Sequence, residues 1–152
     1  MPRYRIALRL AKPYQCLYCT LMPEFDCDHL PLDVANALDE TFRTMSAIPL
    51  VSDGEGSGPG DSIVDIVHRN RELTTAHSTV YSIIVRALTG EALDPEAVGI
   101  CYQPFVGRMH RRCFGEGMET DAHMVELFEV EPVSRAQTLV RHWDLVSEYA
   151  ET

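Results

Sequence analysis

The opening residues constrain the fold more tightly than any other stretch. In Arg3-Tyr4-Arg5-Ile6-Ala7-Leu8-Arg9-Leu10, the apolar side chains Tyr4, Ile6, Leu8 and Leu10 alternate with Arg3, Arg5, Ala7 and Arg9. A repeat of two is that of a β-strand, whose successive side chains point to opposite faces. One face must therefore be buried while the other carries guanidinium groups. A chain starting this way has to build a sheet with one wet side.

Pro13 ends that run, and residues 14–22 read as a second short strand or the return of a hairpin. Residues 23–31 read as an irregular acidic loop containing Cys27 and His29. Asp33 is placed to cap a helix on which Val34, Leu38, Phe42, Met45 and Ile48 recur at helical spacing until Pro49. Residues 52–61 place glycine at 54, 56, 58 and 60 with Ser52 and Ser57 among them, and they predict a flexible internal loop. A long helical pattern then runs from Asp61 or Ser62 to Leu88, with Gly90 as its stop; its polar centre predicts a break, or a strand at Ile63–Val67. Leu73, His77, Val80, Ile84 and Leu88 share a face of its second half.

Residues 98–105 and 124–130 read as strands around a basic turn at 107–117. A final helix is predicted from Ser134, which forms a capping-box pattern with Gln137. Ala136, Leu139, Val140, Trp143, Val146 and Tyr149 would be its apolar stripe, with Trp143 buried against the sheet. The element order predicts an α+β fold: an antiparallel or mixed sheet of about four strands with helices packed on one face. At 152 residues the chain is expected to be one globular domain, 1–152.

Charge narrows the choice of partner. The net charge is −10, yet residues 1–12 carry Arg3, Arg5, Arg9 and Lys12 without an acid, and residues 13–66 hold ten acids against Arg43 alone. Arg108, Arg111 and Arg112 form a second basic strip. An acidic whole disfavours sequence-blind nucleic-acid binding, which depends on neutralising phosphates. The arginine strips (Arg3, Arg5, Arg9, Arg108, Arg111, Arg112) are instead read as a docking surface, with another protein as the expected partner. No apolar run approaches the ~18–20 residues of a membrane helix, and no signal-peptide core follows Met1, so the expected location is intracellular, in the cytoplasm.

Five cysteines, an odd number without a secretory signal, argue for thiols rather than a disulfide framework. Cys16, Cys19, Cys27 and His29 follow a C-x2-C-x7-C-x-H pattern, and His110 with Cys113 offers an alternative second pair. Sulfur and imidazole ligands at such spacing suit one structural zinc ion, the cofactor expected here.

Motifs for chemistry are thin. The glycine-rich stretch lacks the lysine of a phosphate loop, and Pro59 and Asp61 break G-x-G-x-x-G. Glu129 and Glu131 form a Glu-x-Glu pair of the kind ADP-ribosyltransferases carry, with Ser78-Thr79 in suitable chain order. Cys113 beside His110, Arg111 and Arg112 has the surroundings of an activated thiol. His77 lies on an apolar helix face, whereas His68, His123 and His142 have no partner at a telling spacing. With no convergent acid, base and binding group, the expected function is a non-enzymatic interaction or regulatory (accessory) protein stiffened by zinc. The alternatives are a small enzyme, either a transferase using Glu129 and Glu131 or a thiol enzyme using Cys113, and an RNA-binding protein using its arginine strips.

Overall fold

The alternating opening segment is strand β1, Arg3–Leu10, and its two faces are those expected. Tyr4, Ile6, Leu8 and Leu10 are all buried, whereas Arg3, Arg5 and Arg9 reach solvent in part. In the computed structural model, which describes residues 2–27, 32–100, 102–108 and 113–146 (the side chains of Asp33 and Pro95 apart), β1 is followed by β2, Tyr18–Asp26, and helix α1, Leu32–Arg43. Strand β3 spans Ile48–Ser57, and a 3₁₀ turn at Pro59–Asp61 leads to β4, Ile63–Val67. Helices α2, Arg71–Thr89, and α3, Pro95–Ile100, precede β5, Phe105–Gly107, β6, Glu119–Val130, and β7, Gln137–Asp144. Among the described residues, no helix is long and apolar enough to cross a membrane.

All seven strands lie in one sheet, ordered β1-β2-β5-β4-β3-β6-β7, and every ladder is antiparallel. β6 also pairs with β1 from Arg3↔Val130 to Leu10↔Ala122. That extra ladder closes six strands into a ring, with β7 attached to β6 from outside. The core lies under the apolar side of these strands, where Leu38 and Phe42 of α1 and Leu73, Ala76, Val80 and Ile84 of α2 meet Ile6, Leu8, Leu21, Ile48 and Leu50.

This architecture corrects the expectation of about four strands with helices on one face. The glycine-rich segment is strand β3 as far as Ser57. Its glycines are needed because β4 crosses close by: a Cβ on Gly56 would stand 2.5 Å from Ile66. Gly54, at φ +100°, sits where the β3–β4 register shifts, a β-bulge that only a residue tolerant of positive φ accepts readily.

The predicted final helix is also a strand. Ser134 does not cap a helix; its hydroxyl accepts from Ala136 N inside the β6–β7 turn. Trp143 is buried as expected, but from β7, packing on Phe42 with ring centroids 4.9 Å apart and donating its indole N–H to Asp39. Tyr149, the last residue of the expected stripe, lies outside the described residues. Residues 98–105, expected to be a strand, instead end α3 and lead into the three-residue β5. The long helical pattern divides as the alternative reading had it, into β4 and α2. Asn70 caps α2 by accepting from Leu73 N at 2.7 Å, and Gly90 closes it at φ 78°.

Candidate functional site, an arginine cleft

Alternation along β1 sends Arg5 to the wet face of the sheet, opposite Ile6. On the neighbouring β2, Thr20 projects to the same side, and Arg5 Nε and Nη2 donate to its hydroxyl oxygen at 3.2 and 2.8 Å. Arg5 Nη1 donates to Gln137 Oε1 at 3.1 Å, joining the start of β7 to the group. The Thr20 oxygen thus accepts twice, which leaves its own hydrogen to donate elsewhere. Gln137, held by its carbonyl, likewise keeps its amide hydrogens for a further acceptor. No carboxylate among the described residues forms an ion pair with Arg5. Burial lowers the Arg5 pKa from its ordinary value, and the more distant charge of Glu24 offsets this only in part.

These residues line a cleft of about 590 Å³ whose walls include Glu24, Ser62, Val64, Phe105, Arg108 and Arg135. Two more guanidinium groups therefore face it, each held in place. Arg108 is gripped by Asp65, through Nε at 3.2 Å and Nη2 at 2.9 Å, and by Glu55 at 3.0 Å. Asp65 is fully buried and also accepts from Phe114 N at 3.1 Å, so it anchors Arg108 to the core. The hydrogen bond to Asp65 raises the Arg108 pKa further. Arg135 pairs with Glu24, whose carboxyl it holds below the usual range. Of the three cations, Arg5 is the one without a carboxylate at ion-pair distance among the described residues; Glu24 acts on it from farther away.

The expected docking arginines thus have separate fates. Arg3 is bound to Asp26 at 2.8 Å, and Arg9 to the buried Glu126 at 3.3 Å and to Gln15 O at 2.8 Å. Arg5 and Arg108 meet in the cleft, while Arg111 and Arg112 lie outside the described residues. Thr20, Glu24, Asp65, Arg135 and Gln137 belong to no motif that marks them in the sequence as members of a site. Thr20 has one readable signal, its place on the wet face of a strand adjoining the arginine strand.

Of the expected zinc ligands, the described cysteines Cys19 and Cys27 are held apart. Cys19 lies opposite Leu8 and Cys27 beside Pro2, six residues apart along the β1 segment and so roughly 20 Å at strand rise. Cys19 sits in the core with its sulfur 3.9 Å from the Tyr102 hydroxyl. Among the described residues, Cys16, Cys19 and Cys27 included, no three His, Cys, Asp or Glu side chains form a group able to hold a metal; His29 and His110 lie outside them. Cys113 is exposed.

Glu129 is exposed on β6, and Glu131 turns back to accept from Val133 N at 2.9 Å and from Ser134 N, folding the β6–β7 turn. Neither lines the cleft. His77 faces the core, its Nδ1 donating to Leu21 O at 2.6 Å. His68 contacts Asp53 at 3.3 Å on the surface, and no histidine lines the cleft among the described residues.

No protein-family model and no curated protein matches the sequence. The fold is more informative. Apo LigT of E. coli superposes with a TM-score of 0.59 over 95% of this chain and 98% of its own, at 15% identity. TT0787 of Thermus thermophilus gives a TM-score of 0.66 over 97% of this chain and 100% of its own, at 18% identity. A structure described as a phosphoesterase gives 0.58 over 95% and 98%, at 12% identity. LigT has also been crystallised with phosphate and with 3'-AMP. A fold shared along nearly the whole chain with LigT and a phosphoesterase corrects the expectation of a non-enzymatic regulatory protein. The chain has a LigT-like fold.

Proposed function

We propose that this protein is a phosphoesterase that binds the phosphoryl group of its substrate in the arginine cleft. One observation carries the reading: Arg5 is a partly buried guanidinium with no carboxylate partner among the described residues, set among donors already oriented by its own hydrogen bonds. A phosphoryl group arriving there is met by the Arg5 fork, the Thr20 hydroxyl and the Gln137 amide. Arg108 and Arg135, both held by carboxylates, present further N–H donors from fixed positions in the wall. Donors aligned before the substrate arrives stabilise charge developing on phosphoryl oxygens without further reorganisation.

Ester cleavage also needs a group to move protons. Glu24 is the one carboxylate among the described residues lining the cleft, which makes it the candidate general base; its pairing with Arg135 keeps it ionised at some cost in basicity. Its role separates from binding by kinetics. Arg5→Gln is expected to raise KM for a phosphate ester more than about 10-fold, with Arg5→Lys recovering part of the loss. Glu24→Gln is expected to lower kcat by roughly 10²–10⁴-fold while leaving KM little changed. The assay is hydrolysis of a panel of phosphate mono- and diesters, paired with calorimetric titration of the same compounds. Wild-type protein that neither binds nor cleaves any of them would overturn the reading.

A further inference from the structure

A second cavity, of about 680 Å³, adjoins the cleft and shares Thr20, Pro23 and Phe105 with it. The two meet because β2 and β5 pair only at Cys19↔Val106. Beyond that pair the strands part, and Thr20 and Phe105 line both cavities at the opening. The second cavity lies toward α2 and α3 and is walled by Leu21, Tyr81, Val85, Val98 and Tyr102.

Its chemistry is opposite to that of the cleft. Among the described residues no lysine or arginine lines it, and its one carboxylate, Glu91, would repel a phosphate. The buried polar groups in its wall are already engaged: His77 donates to Leu21 O, and the Tyr102 hydroxyl donates to Thr20 O at 2.8 Å. The two rings stack with centroids 3.8 Å apart and planes within 4°. Apolar and aromatic side chains make up most of the wall, so a hydrocarbon guest would meet apolar surface over most of its length.

We infer that the two cavities form one bipartite site, and that its substrate class is the phosphate ester of an apolar alcohol. The phosphoryl group rests on Arg5, Thr20 and Gln137, and the hydrocarbon passes between β2 and β5 into the apolar cavity. The inference builds on the phosphoesterase reading and adds the nature of the esterified alcohol.

Calorimetric titration with methyl phosphate and with octyl phosphate, the latter below its micelle concentration, tests it. Each buried methylene gives roughly fourfold in affinity, so four of them should make octyl phosphate bind more than about 100-fold tighter. Ala97→Trp and Leu93→Trp place an indole in the apolar cavity. Each should erase at least about 10-fold of that gain and leave methyl phosphate binding as it was. Equal affinity for the two esters would overturn the inference while leaving the cleft reading intact. An undiminished gain in both tryptophan variants would overturn the assignment of the hydrocarbon to this cavity. Failure of both esters to bind would overturn the cleft reading and the inference together.

Discussion

Cys19 and His77 sit within one small cluster around Tyr102, and their surroundings set their chemistry. Burial pushes the Cys19 thiol up to about 12, so thiolate is scarce at neutral pH. Iodoacetamide near neutral pH is therefore expected to alkylate the exposed Cys113 while Cys19 stays unmodified until the protein unfolds, as read by peptide mass spectrometry. For His77, burial lowers the pKa from 6.5, more than its bond to Leu21 O raises it. The folded state then holds a neutral ring where the unfolded chain takes up a proton, so stability must fall as pH drops below about 6.5, until the folded pKa is passed. The ionised carboxylates behave in the same sense but lower down, since Glu24 starts from 4.5 and Asp26 from 3.8. Urea unfolding between about pH 7 and pH 5.5 should show a loss that His77→Phe flattens. An unchanged slope in that variant would assign the loss to other groups.

At the level of single elements, legibility in the sequence follows what each strand packs against. β1 is readable because one face is buried and the other is wet, so its two-residue period is clean. β7 is not, because it is attached only to β6 within the sheet and exposes Leu139 and Val140 on both faces. Its apolar residues therefore follow no strict alternation, and positions 136, 139, 140 and 143 match a helical spacing equally well. β3 is hidden by its composition: glycine signals a loop in isolation, but here it admits β4 at close range. That gives a sharp expectation. Gly56→Val should destabilise the protein by roughly 1–3 kcal/mol in urea melts, as overpacking does, and Ile66→Ala in the same chain should recover part of the loss. The cleft is half legible for a related reason. Local alternation shows that Arg5 faces water, but pairing across the sheet, and the turn carrying Arg135, decide that Thr20, Gln137 and Arg108 face it too.

For the whole molecule, the governing fact is that β1 lies between β2 and β6, the latter from the far end of the chain. Within an acidic total of −10, Arg108 and Arg135 are offset by the carboxylates that hold them, and Arg5 is the cleft guanidinium without an ion-pair partner among the described residues. Closure of the ring sets an order of events on a growing chain. Strand β1 is made well before β6, so one of its two edges has no strand partner until residues 119–130 have been synthesised. Throughout most of translation that edge is open, and so is the edge of β3 that β6 will later take. A fragment ending at residue 118 is accordingly expected to be insoluble or captured by chaperones, while adding 119–146 in trans should return it to solution if the two pieces meet before aggregating. Sedimentation of the fragment alone and after mixing would show it; a soluble, monomeric 1–118 would mean the ring is dispensable. Strand β6 thus acts as the fastener of β1, and its arrival is the moment at which these two edges stop being a hazard to neighbouring chains.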